Sequence, residues 1–141
     1  MKLITRDTDY AIRALCCIAG AREKTLSVRD LTGKLDMQRP FLRKILQKLN
    51  KEGLLDSSKG RGGGFTLALA PEKISVYSVM RVFQGPFSIS EHLFKGKTCQ
   101  FIETCFLKKK LDELERIITR EMKSITIRSL LKKGPDFTGE V

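Results

Sequence analysis

Apolar side chains recur along the first 86 residues with two different periods, and the switch between them organises the chain. Over residues 7–20, Tyr10, Ala11, Ala14, Leu15, Cys17 and Ile18 fall at helical spacing. Asp7 or Thr8 is placed to cap this helix and Gly20 to end it. Ser27 followed by Asp30 reads as the start of a second helix, because a hydroxyl and a carboxylate three residues apart can satisfy each other's backbone N–H groups. Its stripe is Val28, Leu31 and Leu35, and Gly33 limits it. Pro40 suits the first turn of a third helix, where its missing N–H costs nothing. Phe41, Leu42, Ile45, Leu46 and Leu49 form the inward side of that helix. Arg39, Arg43, Lys44, Lys48 and Lys51 form its opposite face, and Gly53 stops it.

The period then drops to two. Leu54 and Leu55 start a short strand, the run KGRGGG turns it, and Phe65, Leu67 and Leu69 return in alternation until Pro71. Helical spacing resumes after Ser75 with Val76, Val79, Met80 and Phe83, and Gly85-Pro86 closes that helix. Residues 87–104 lack clean periodicity and read as a loop. From about Cys105 a longer helix begins, whose seam of Leu107, Leu111, Leu114, Ile118 and Met122 calls for a partner surface. Residues 124–131 give one more short helix, and 132–141 form a tail.

Helix, short helix, basic helix and hairpin is the order of a winged helix-turn-helix. The expected fold is therefore mainly α with a small β-hairpin wing, followed by a long dimerisation helix. In this architecture the second helix of the pair, here 39–52, lies in the DNA major groove. Charge supports that reading. The 141 residues carry 27 Lys and Arg against 16 Asp and Glu, a net +11, which favours a polyanionic partner. Residues 38–61 alone hold seven basic and two acidic side chains, and such cations supply most sequence-independent affinity for DNA. The wing glycines, Gly62 among them, let backbone turn tightly and approach a sugar–phosphate wall, with Lys59 and Arg61 at the tip. The same glycines do not make a nucleotide loop, which needs a Lys-Ser/Thr pair and a following helix.

Other classes find less support. The single histidine, His92, and the lack of a nucleophile–base pair or zinc-type ligand spacing argue against an enzyme. Charges at Arg6, Asp7, Asp9 and Arg13 interrupt any signal-peptide core, and no run approaches the roughly 18–20 apolar residues of a membrane span. A cytoplasmic location is expected, where cysteines stay reduced. The adjacent Cys16 and Cys17 point about a hundred degrees apart on a helix and read as small packing hydrophobes. Cys99 and Cys105 are open to three roles: metal ligands, a reversible thiol switch, or no cofactor role.

Three stretches carry a resemblance to a known family: TRDTDYAIRAL, LSVRDLTGKLDMQRPFLRKILQKLNKEGLL, and KGRGGGFTLALAPEKISVYSVMRVFQGP. With CFLKKKLDELE, they resemble the Rrf-type winged-helix transcriptional regulators, relatives of IscR, NsrR and CymR, over nearly the whole chain. The resemblance implies a homodimeric bacterial regulator, with two recognition helices on the halves of a near-palindromic operator. It divides the chain into a DNA-binding domain at 1–86, a sensor loop at 87–104, a dimerisation helix with a short C-terminal helix at 105–131, and the tail. It implies double-stranded DNA as partner. The base-reading positions become Gln38, Arg39, Arg43 and Lys44, with Ser27, Pro40, Lys48, Lys59, Arg61 and Gly62 completing the expected contact set. A regulated protein partner of unknown identity remains a further option.

Relatives with an iron–sulfur cluster carry three cysteines before the long helix. This chain matches the second and third with Cys99 and Cys105, and has His92 and Leu93 where the first would fall. A cluster usually takes four protein ligands. His92, and Asp9 reaching from the other subunit, are the candidates to complete a 2Fe-2S or 4Fe-4S site, with Glu91 and Glu103 as outside candidates.

Overall fold

The computed structural model describes residues 2–21, 25–89, 93–94, 97–98 and 100–133. Helix α1 (Arg6–Gly20) is capped by Thr5, whose hydroxyl accepts the Thr8 N–H. This corrects the expected cap at Asp7 or Thr8: Thr8 is itself buried and its hydroxyl is committed elsewhere. Ala11, Ala14, Leu15 and both neighbouring cysteines are enclosed, so α1 is the central helix of the core.

Helix α2 (Val28–Leu35) starts at the Ser27–Asp30 capping box, with both reciprocal bonds formed at 2.9 and 3.1 Å. It runs past Gly33, which has open space around it, and stops at Asp36 in the left-handed conformation. Three residues later α3 (Arg39–Lys51) begins, with Pro40 in its first turn. Leu42, Ile45, Leu46 and Leu49 are buried at spacings of three, one and three, a single stripe that seats α3 against α1 and α2.

Strands β1 (Leu55–Ser58) and β2 (Gly64–Leu67) pair antiparallel, Leu55 opposite Leu67 and Ser58 opposite Gly64. The hairpin is held to the helices by a bridge in which Leu26 and Phe65 exchange backbone bonds of 3.2 and 2.8 Å. Gly64 (φ +149°) faces the Leu26 carbonyl so closely that a Cβ would collide with it. This glycine is present for close approach between wing and α2 start, a requirement separate from the turn itself.

A short 3-10 turn (Pro71–Lys73) leads into α4 (Val76–Gln84), capped by Ser75. Residues 93–94 and 97–98 form a small antiparallel pair, β3 (Leu93–Phe94) and β4 (Lys97–Thr98). Part of the expected loop is thus extended and paired, which two-residue strands cannot announce through periodicity. Helix α5 (Phe106–Ser124) follows, then α6 (Ile127–Lys133). The chain returns to its own core here. Val76 N–H donates to the Ile125 carbonyl at 2.8 Å, Ile127 N–H donates to the Ile74 carbonyl at 2.9 Å, and Ile127 is fully buried. Arg128 on α6 also reaches the Glu72 carboxylate at 2.8 Å; backbone hydrogen bonding at Glu72, then this arginine, hold that carboxyl below its usual range. No helix among the described residues is long and apolar enough to cross a membrane.

Candidate nucleic-acid interface

The buried stripe of α3 fixes what its other side shows. Gln38, Arg39, Pro40, Arg43, Lys44, Gln47 and Lys51 are all exposed. Arg39, Pro40, Arg43, Lys44 and Gln47 border one open surface hollow of about 430 Å³. Gln38 is the N-cap of α3 and its side chain makes no capping bond, so its amide stays available to a ligand at the front of the helix. These positions form one continuous face of cations and an amide, suited to phosphates and to the acceptor-rich edges of guanine.

Two expected contact residues sit differently. Lys48 lies on the flank of α3 with its ammonium 5.3 Å from the centre of the Phe83 ring, turned toward α4. Ser27 spends its hydroxyl on the Asp30 N–H, while its own N–H donates to the Asp30 carboxylate. That backbone bond, then the serine side chain, hold the Asp30 carboxyl below its ordinary value. Ser27 therefore shapes the start of α2. At the wing tip, Lys59, Arg61 and Gly62 are exposed, and Gly60 and Gly62 adopt φ of +90° and +72°. Both would strain any side-chain-bearing residue, so the tip conformation depends on them.

Arg6 and Tyr10, at the start of α1, form a contact that the sequence pattern did not single out. The Arg6 guanidinium lies 4.9 Å above the Phe41 ring, and Tyr10 meets the same ring edge-on at 5.5 Å and 81°. The flank of α3 is therefore held by α1. The only signal in the sequence was Phe41 itself, an aromatic at the edge of the buried stripe.

The cysteines divide by environment. Cys16 and Cys17 are buried, and Cys16 is pushed up to about 12, first by burial and then by the neighbouring Cys17. They are packing residues, as their positions on α1 imply. Cys105 is half-buried at the N-cap of α5, where its Sγ accepts the Lys108 N–H at 3.4 Å. Asp9 is bonded to Arg13 one turn on, at 3.1 Å. His92, Glu91 and Cys99 lie outside the described residues. Among the described residues no three His, Cys, Asp or Glu side chains come together to hold a metal ion.

Helix α5 is 19 residues long and none of them is buried. Its expected seam splits in two. Met122 packs against the chain's own core, and Ile118 lines a cleft with Met80, Gln84 and Phe87. Leu111 is half-buried. The outer side carries Leu107 (64% exposed) and Leu114 (49%), together with Phe106 (72%) and Ile117 (40%), which the seam had omitted.

Comparison with known proteins gives this geometry its context. A profile described as Rrf2, iron-dependent transcriptional regulator, matches residues 4–133. The HTH-type transcriptional regulator NsrR of Bacillus subtilis is 31% identical over 138 residues, covering 96% of this chain and 94% of that protein. NsrR of Halalkalibacterium halodurans is 31% identical over 130 residues, covering 91% and 89%. Among solved structures, CymR, the global cysteine regulator of B. subtilis, superposes with a TM-score of 0.76 at 20% identity, covering 94% of this chain and 98% of that one. IscR of T. potens gives 0.73 at 23% identity, covering 94% and 87%. The two superpositions establish the winged-helix fold, and the profile and the sequence relatives establish descent among regulators, not enzymes. The chain belongs to the Rrf2 family of DNA-binding transcriptional regulators.

Proposed function

We propose that the protein acts as a homodimer that reads a two-fold operator with α3 and the wing, and that the chemistry of Cys99 and Cys105 controls its affinity. The observation that carries the DNA reading is the exposed cationic face of α3 directly beside a hairpin tipped by Lys59 and Arg61. On this reading Gln38, Arg39, Arg43 and Lys44 face base edges, and Lys59 and Arg61 neutralise phosphates. Binding represses transcription by occupying the promoter.

The second copy is proposed from α5. Four large apolar side chains on one side of an otherwise charged helix are stable in water only when covered, and a two-fold axis offers each copy the same surface. Control at the cysteines is proposed from the iron-dependent description of the family and from the position of Cys105 at the start of that helix. An iron–sulfur cluster would take Cys99 and Cys105, with His92 and the second subunit's Asp9 completing the set, and would supply a redox-sensitive charge beside α5. Asp9 would first have to leave Arg13. A second reading, reversible oxidation of the two thiols without metal, rests on Cys105 being a free, half-buried thiol at the N-cap of α5.

Purification without oxygen, with iron analysis and a visible spectrum, separates the two. Bound iron with a charge-transfer band supports the cluster; iron-free protein after anaerobic reconstitution leaves the thiols. For DNA, Arg43→Ala is expected to relax sequence preference by about 1–3 kcal/mol. Lys59→Ala is expected to weaken all duplexes alike and to lower the salt slope by about 1. Unchanged operator binding in both variants overturns the assignment of α3.

A further inference from the structure

Gln84, the last residue of α4, holds the start of α1 through three donors at one oxygen. Its Oε1 accepts the Thr8 hydroxyl at 2.7 Å, the Thr5 backbone N–H at 3.1 Å and the Thr5 hydroxyl at 3.5 Å. Its Nε2 donates to the Leu3 carbonyl at 3.0 Å. Among the described residues Thr8 is the buried polar side chain of the core, so its hydroxyl needs this partner. All these bonds join segments about eighty residues apart in sequence.

What lies on either side of this joint gives it a role. One turn of α1 carries Arg6 and Tyr10, and both touch Phe41 in the first turn of α3. On the other side the chain leaves Gln84 through Gly85, at φ +73°, and Pro86, and runs toward Cys99 and Cys105. Phe83, beside Gln84, also lies under Lys48 of α3. Residues 85–89 therefore leave α4 at the residue that holds the start of α1, and α1 in turn flanks α3.

We infer that Gln84 is a positioning residue for DNA recognition, the joint that sets the tilt of α3 by fixing the start of α1. The inference rests on α3 being the DNA-contacting helix. An amide is suited to the task because it accepts from a hydroxyl and a backbone N–H and donates to a carbonyl without adding charge. Removing it takes away the 2.7 Å acceptor of the buried Thr8 hydroxyl, leaves that hydroxyl only the Thr5 hydroxyl at 3.1 Å, and releases the start of α1 from α4.

The test compares Gln84→Met with Gln84→Glu in the full chain, with two readouts. Glutamate keeps the acceptor for Thr5 and Thr8; in place of the donor to Leu3 it has a second oxygen, which must carry a proton or turn to solvent, since a carboxylate cannot donate to that carbonyl. In the free protein, the ring resonances of Tyr10 and Phe41 are expected to move in Gln84→Met and to stay near wild type in Gln84→Glu. On DNA, affinity for an in vitro-selected operator relative to a scrambled duplex is expected to fall roughly three- to tenfold in Gln84→Met, the range for one or two lost hydrogen bonds. The salt slope is expected to stay unchanged, and Gln84→Glu is expected to recover the ratio. Unmoved ring resonances overturn the inference, as does an equal loss on both duplexes. Should Gln84→Met fail to fold, Thr8→Val, which deletes the 2.7 Å bond and the 3.1 Å contact with the Thr5 hydroxyl but keeps the other Gln84 bonds, carries the same two readouts. If wild-type protein binds no duplex, the DNA reading falls, while the ring resonances still decide whether Gln84 sets the α1–α3 contact.

Discussion

Helices α3 and α5 are both amphipathic, both basic and both central to the proposed activity, yet they stand differently toward the rest of the chain. In α3, Leu42, Ile45, Leu46 and Leu49 are buried within a 13-residue helix. In α5, 19 residues bury none, and Phe106, Leu107, Leu114 and Ile117 are exposed on one side. The first helix is completed by its own chain and leaves only charge for a ligand. The second keeps an apolar side that no described residue of the chain covers, the side for which a second copy is proposed. Amphipathicity thus identifies a helix with a buried side, and burial then tells whether that side is already covered.

The contrast can be broken most severely at α3. Leu46→Ala, at a fully buried position, is expected to cost about 2–5 kcal/mol, read as a lower urea midpoint at unchanged slope. Leu114→Asp should leave the secondary structure of each subunit intact while weakening self-association by about 2–4 kcal/mol, seen as monomers in sedimentation at micromolar concentration. Equal loss of fold in the two variants would erase the distinction. Gly64→Ala is expected to cost about 1–3 kcal/mol, because its new methyl group meets the Leu26 carbonyl and forces wing and α2 apart. The control Gly33→Ala has open space and a helical backbone, and should stabilise by up to about 1 kcal/mol.

The smallest effect is invisible at neutral pH. The Cys16 thiol rises from 9.0 to about 12 in the folded chain, so folding holds its proton more tightly than the unfolded state does. Its contribution is complete below about pH 9 and is lost as pH climbs toward 12. Thermal midpoints of wild type should therefore fall more steeply above pH 9 than those of Cys16→Ala, and iodoacetamide should modify Cys105 well before Cys16.

Local chemistry made much of this legible. The Ser27–Asp30 box, Pro40 at the front of α3, the stripe that follows and the alternating return of the hairpin are each set by neighbours within a few residues, and each is where the pattern put it. The failures are non-local. Thr8 is an acceptable cap by type, but Gln84 draws its hydroxyl into the core and leaves the cap to Thr5. Gly33 limits the length of α2, and Leu35, read as part of its stripe, lies inward one turn past Leu31 at the helix's last position. On α5, steps of three and four residues gathered Ile118 and Met122 with Leu107 and Leu114, although the first two rest on other parts of the same chain. Pattern alone cannot divide one apolar arc between two different neighbours.

The exchange of backbone bonds between Ile74–Val76 and Ile125–Ile127 pins one end of α5 to the head, while its other end begins at Cys105. At about 1.5 Å per residue, this is a rod of roughly 28 Å anchored at its root. Swinging such a rod by about 5° carries the Cys105 tip through roughly 2 Å. Leverage also runs the other way: an ångström-scale push at the thiol becomes about two degrees of rotation at the clamp, the kind of movement through which the proposed control would reach α3 and the wing.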